Sequence, residues 1–239
     1  MIQKYSKTLI FFGILIIVIV VLSILQPSKF LSLNNLESMT FQIPELGILS
    51  LALMIAIISG GIDLSIVSIS VLSAITAALI FSNLIPKSDN ILYIYFIITV
   101  AILTASLCGL LCGILNGFII SIIGVSPILV TLGTSRLFEG ISMVITKGNS
   151  ISNFPKQFVF LGAGTIGLIP FPLIIFFTTA LIVSLVLNKT KFGFTIYLVG
   201  SNPIATLFSG ISNKILYLQI YLFVGLIPPN ITTNKACNK

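Results

Sequence analysis

The chain has no histidine and no tryptophan, and only 7% of its residues are Asp, Glu, Lys or Arg. Without histidine there is no imidazole general base and no histidine-based metal site. A soluble domain usually carries about a quarter of its residues as charged side chains, so a chain this poor in charge cannot cover a surface in water. Its five acidic residues are scattered over 239 positions and form no titratable cluster. No nucleophile stands beside a plausible base, so an enzyme is not expected. A Gly-x4-Gly-Lys-Ser/Thr loop is missing as well, which excludes ATP binding of the P-loop kind. The three cysteines are Cys108, Cys112 and Cys237. The first two are four apart and share a helix face with no other ligand type near them. They read as small packing residues rather than a metal or redox pair, and no cofactor is expected.

What the sequence does have is apolar length. Hydrophobic residues make up 57% of it, and the mean hydropathy is +1.21. The runs are continuous, without the period-2 alternation of barrel strands, and in lipid the remaining way to satisfy every backbone polar group is the helix. The fold class expected is all-α, a polytopic transmembrane helical bundle in the bilayer. The net charge of +7 comes from 12 basic and 5 acidic residues. The bases stand singly or in pairs with no stripe, so they read as membrane-loop lysines and not as a nucleic-acid surface.

Lys4 and Lys7 precede an apolar run from Thr8 to Leu25. No small-x-small cleavage site follows, so the run reads as a retained signal-anchor helix. Residues 26–43 are more polar. Residues 44–58 form a short apolar segment ending at Ser59-Gly60-Gly61, and 64–81 form another helix, followed by a polar turn at Pro86–Asn90. Residues 91–123 exceed the roughly 20 needed for one crossing, which predicts a break. Within them Gly109, Gly113 and Gly117 lay a smooth strip along one face for close helix packing. Further spans are expected at 125–146 and 169–187, with an external loop over 147–168. The polar connection 188–214 follows, then a helix from 215 to 227. With the N-terminus inside, 1–7 and 188–214 hold five lysines against four in the external segments, a weak positive-inside bias.

Two features place charge in or near the membrane. Asp63, in Gly60-Gly61-Ile62-Asp63-Leu64-Ser65, stands where a helix starts after a glycine break. It can cap free N–H groups there, or serve as an ion, proton or gating site. Arg136 and Glu139 are three apart in an apolar helix. They can pair and lower each other's cost of burial, or face a substrate pathway.

The run Ser59–Ser65 resembles the signature of bacterial ABC permeases for simple sugars, the ribose, galactose, arabinose and xylose group. Three further stretches match in the same order: Asn116-Gly117, Ser126–Thr134 with its Pro-x4-Leu-Gly-Thr start, and Gly200-Ser201-Asn202-Pro203-Ile204-Ala205 through Ser209-Gly210-Ile211. The resemblance covers roughly residues 8–226. It implies a transmembrane permease subunit of an ATP-driven importer. Its partners would be a cytoplasmic ABC ATPase subunit, an extracytoplasmic sugar-binding protein and a second permease subunit, all at the bacterial inner membrane with the N-terminus cytoplasmic. A secondary transporter or channel without an ATPase is the alternative.

Within that resemblance, Gly60, Gly61, Asp63 and Ser65 form a helix-break motif at the pathway. Gly200, Asn202, Ala205, Gly210 and Ile211 belong to the ATPase-docking loop. Asn202 is expected to cap a short helix from about Pro203 to Ser209, with Pro203 at its first position. The sequence departs from the family in two places. Glu139 stands before Gly140 where the family has arginine, and Arg136 lies one turn earlier. The family also continues by several helices beyond this chain's end. Residues 1–227 are therefore expected to form a permease domain of about six complete spans and a cut-short seventh. A polar tail, 228–239, is unrelated to the family. A product so truncated or frameshifted is expected to be inactive alone.

Overall fold

The computed structural model describes residues 2–84, 90–149, 151, 154–167 and 169–227, with the backbone alone over 2–8. The polar tail 228–239, Cys237 and most of the expected turn at 86–90 lie outside the described residues.

The chain divides into two compact units, Met1–Ile43 and Pro44–Lys239. In the first, α1 (Ile2–Leu25) is followed by a single turn, α2 (Pro27–Phe30), with its proline at the first helical position. The stretch 26–43, polar by composition, is nonetheless largely helical. Ser32 Oγ accepts from Asn35 N at 3.2 Å, an N-cap that starts α3 (Leu33–Ile58) well before the apolar segment begins. Pro44 sits inside α3, so helix runs through a residue that supplies no backbone donor.

The second unit contains the remainder of α3, then α4 (Ile66–Leu84), α5 (Ile91–Phe118) and α6 (Pro127–Thr146). The break expected within 91–123 is not there. The backbone widens instead into a π-helical turn, Ile119–Ile123, and stops only at Gly124, whose φ of 82° closes it in the left-handed region. The segment 147–168 is more ordered than an external loop: it holds α7 (Lys156–Ala163) and a two-residue hairpin, β1 (Thr165–Ile166) with β2 (Ile169–Pro170). Next comes α8 (Phe171–Lys189). The polar connection 188–214 proves to be two helices, α9 (Lys191–Ser201) and α10 (Pro203–Phe208), before α11 (Asn213–Leu226). Its overall polarity hides a half-apolar helix, because Ile196 and Val199 of α9 are fully buried.

Two apolar clusters hold this unit together. One joins Ile48 and Ile55 of α3 to Val183 of α8, Ile196 of α9 and Ile220 and Val224 of α11. The other packs Phe81 of α4 and Ile97 of α5 against Phe158 of α7, with the two rings 4.5 Å apart. Burial of each such side chain contributes about 1.5–3 kcal/mol relative to water, and tight packing retains it in lipid. Five helices are long and apolar enough to cross a membrane: α3, α4, α5 with its π turn, α6 and α8. The apolar stretch Leu9–Leu25 of α1 and helix α11 are shorter. The chain is an all-α polytopic helical bundle, with a minimal hairpin as its one sheet among the described residues.

Candidate functional site

The site grows out of how α3 ends. Gly61 N donates to Ala56 O and Gly60 N donates to Ile57 O, both at 3.0 Å, while Gly60 takes a φ of 86°. This is a Schellman stop, and it needs a residue that tolerates the left-handed region. Ser59 is buried and donates its hydroxyl to Ala56 O at 2.8 Å.

Beyond the stop, Asp63 is buried. Its Oδ1 accepts from Ser65 N at 2.8 Å and from Ser65 Oγ at 2.6 Å. These bonds to a carboxylate offset part of its desolvation. Asp63 therefore does not cap the N–H groups of α4. It folds the chain two residues back on itself, and Ser65 O then accepts from Ile69 N at 2.8 Å to begin the helix.

Two neighbouring helices complete the arrangement. Asn116, fully buried near the end of α5, donates from Nδ2 to Ser65 Oγ at 2.7 Å. Thr131, fully buried in α6, accepts from Leu64 N at 3.1 Å, and its proton has Pro127 O at 2.8 Å and Ile62 O at 3.1 Å within reach. From α11 comes Tyr221, fully buried, whose hydroxyl and the Asn116 Oδ1 have no hydrogen-bond partner. A Cβ on Gly61 would stand 2.7 Å from that hydroxyl and 3.3 Å from Pro127. Sequence reasoning had Asp63 and Ser65 as site residues but not Tyr221, Thr131 or Asn116. The available signal was a lone amide in a 28-residue apolar helix and a tyrosine inside an apolar one.

The glycine strip faces α11. A Cβ on Gly113 would meet the Tyr221 carbonyl, one on Gly117 would stand 3.0 Å from Leu218 Cα, and one on Gly225 would meet the Gly109 carbonyl. Contact between these helices is therefore backbone against backbone, the geometry small residues permit.

The far-off segment 200–211 reaches the same end of the unit. Gly200, near the end of α9, lies so close to α3 that a Cβ there would collide with the Ile58 carbonyl, and its Cα is 3.7 Å from the Cβ position of Gly60. Asn202 Oδ1 accepts from Ile204 N and Ala205 N, both at 3.0 Å, and Pro203 is the first residue of α10. Ala205 O accepts from Ser209, Gly210 takes a φ of 79°, and Ile211 packs at the edge of the apolar core. The outer face of α10 is apolar: Ile204, Leu207 and Phe208 are exposed, the last at 87%.

Arg136 and Glu139 stand apart from the buried network. They form an ion pair at 2.8 Å, with their side chains 78% and 50% exposed. Glu139 Oε1 lies 3.5 Å from Ser68 Oγ, which shares a 2.7 Å hydrogen bond with Ser135. Cys108 and Cys112 pack beside Ile69, Leu72 and Phe138.

A protein-family model described as "Branched-chain amino acid transport system / permease component" matches residues 35–227. Among curated proteins, the chain is 36% identical over 220 residues to the ribose import permease protein of Bacillus subtilis, covering 91% of this chain and 64% of that one. It is 32% identical over 217 residues to the D-allose transport system permease protein of Escherichia coli K12, covering 90% and 63%. It is 34% identical over 230 residues to the autoinducer 2 import system permease protein of the same organism, covering 93% and 66%. The chain thus spans a little under two thirds of the length of these relatives. No solved structure matches it significantly.

Proposed function

Because the chain belongs to the family of transport-system permease components matched over residues 35–227, we propose that it is a transmembrane subunit of an ATP-driven importer for a simple sugar. One observation supports this most. The four motif runs that resemble sugar permeases are scattered from residue 59 to residue 211, yet Gly61, Asn116, Pro127 and Gly200 meet around one helix break. Sequence runs held together in space by direct contact answer to one task, and here they join a break between two spans to an exposed helix.

In this reading α10 is the part seated on a cytoplasmic ATPase subunit. Its apolar face of Ile204, Leu207 and Phe208 suits a groove on a soluble partner, and its cap holds it as a rigid peg. The Gly60–Ser65 break is the part of the pathway that moves with it. A second permease subunit would form the other half of the pathway, and an extracytoplasmic binding protein would select the sugar. The N-terminus and the α9–α10 segment would be cytoplasmic. The relatives' names point to ribose, allose and autoinducer 2 as the chemistry of cargo, polyhydroxylated and small.

The chain, expressed with the ATPase and binding protein encoded beside it, is expected to co-purify with that ATPase. In proteoliposomes its ATP turnover should rise when the loaded binding protein is added. Absence of a co-purifying ATPase, or uptake driven by an ion gradient without ATP, would overturn the reading.

A further inference from the structure

The Arg136–Glu139 pair is used by neither the buried network nor the α9–α10 contact. Arg136 and Glu139 are the tenth and thirteenth of the twenty residues of α6, a helix long and apolar enough to span. At about 1.5 Å per residue, each lies well over 10 Å from either end. Snorkelling of the arginine stem does not cover that distance. Facing hydrocarbon, a charge at a helix centre costs about 2.5–3.5 kcal/mol on insertion scales. Yet both side chains point away from this chain's own core. The face is therefore covered by something other than lipid.

The same face tells what covers it. Leu129, Gly133, Arg136, Gly140 and Val144 recur at three- and four-residue spacing and are all exposed. A Cβ on Gly133 or Gly140 would meet nothing within 4 Å, so each leaves a notch beside the charge pair. The two charges have opposite sign and are one turn apart. Under a two-fold axis along the membrane normal, a contact from residue i to residue j is repeated from j to i. Arg136 of one copy then reaches Glu139 of the other, and the reverse, while the glycine notches let the backbones approach. A wall lining water would have no use for the notches.

We propose that the outward face of α6 is where a second copy of this chain packs, with Arg136 and Glu139 exchanging partners across the two-fold. The inference rests on the reading of the chain as one of a pair of permease subunits and assigns the helix and residues that pair.

The test places single cysteines in a chain whose native cysteines are replaced by alanine, expressed in bacterial membranes and oxidised with copper phenanthroline. Gly133→Cys and Gly140→Cys are expected to give a reducible band of about twice the monomer mass, as a two-fold contact requires. Leu181→Cys, exposed on α8, should stay monomeric. Val144→Cys, also exposed, stands in if a glycine variant is not inserted. Monomeric α6 variants would overturn the proposal, and labelling by a membrane-impermeant hydrophilic thiol reagent would then assign the face to an aqueous pathway. Equal cross-linking at Leu181→Cys would overturn it too, as collision without specificity. If differently tagged copies still co-purify while α6 stays uncross-linked, the subunit pairing survives and the α6 assignment alone falls.

Discussion

At the scale of single residues, the described part of the chain has its buried polarity concentrated around Ser65. This serine accepts from Asn116 and donates to Asp63, so it joins an amide on α5 to a carboxylate beyond the end of α3. Tyr221 is different. It fills the space against Gly61 with its ring but satisfies nothing with its hydroxyl. A buried polar group left unpaired costs about 1–3 kcal/mol. Tyr221→Phe is therefore expected to raise the thermal unfolding midpoint in detergent, because the ring stays and the orphan leaves. A lowered midpoint would show that the hydroxyl holds a partner. Asn116→Ala should act in the opposite sense, opening a void and stripping Ser65 of a donor. The sequence made Asp63 legible because a carboxylate in an apolar chain demands a reason. Its actual bond, two residues on rather than to the helix start, was not legible. Capping and turn formation use the same residue types at nearly the same spacing.

At the scale of elements, most spans could be read from hydropathy, and the errors have physical causes. The stretch 26–43 looked like a connection because it is polar. A serine cap and favourable local bonds nevertheless carry helix through it. The excess length of 91–123 looked like a break, but a π turn absorbs extra residues without one, and no composition signal marks it. The α10 helix was legible to within a residue, since Asn-Pro followed by a helix-permitting run is a start signal with a mechanism. That cap is testable: Asn202→Ala removes the acceptor for two N–H groups and should cost about 1 kcal/mol of local stability. Amide exchange at Ile204 and Ala205 should speed up roughly tenfold, the equivalent of that energy. Unchanged exchange would mean that α10 is held by its neighbours and not by its cap. In a complex with an ATPase, the same variant should weaken co-purification without altering α4 or α5.

At the scale of the whole molecule, the second unit has two distinguishable ends. α6 starts at Pro127 beside Gly61 and ends about 30 Å away, as twenty residues at 1.5 Å require. Ser201, next to Gly200, belongs to the first end, and Asn149 to the second, both exposed. A membrane-impermeant thiol reagent applied to intact cells is expected to label Asn149→Cys and spare Ser201→Cys. Inside-out vesicles should reverse the result, and the opposite pattern would invert the topology. The contact between Gly200 and the Ile58 carbonyl has a consequence for how force moves through the protein. Side chains between two moving parts act as springs, since each rotamer change absorbs some of the displacement. Here no side chain intervenes. A push on the end of α9 meets main chain directly, one residue before the stop that leads to Asp63. The joint is stiff by construction, and α3 must take up whatever displacement α9 delivers.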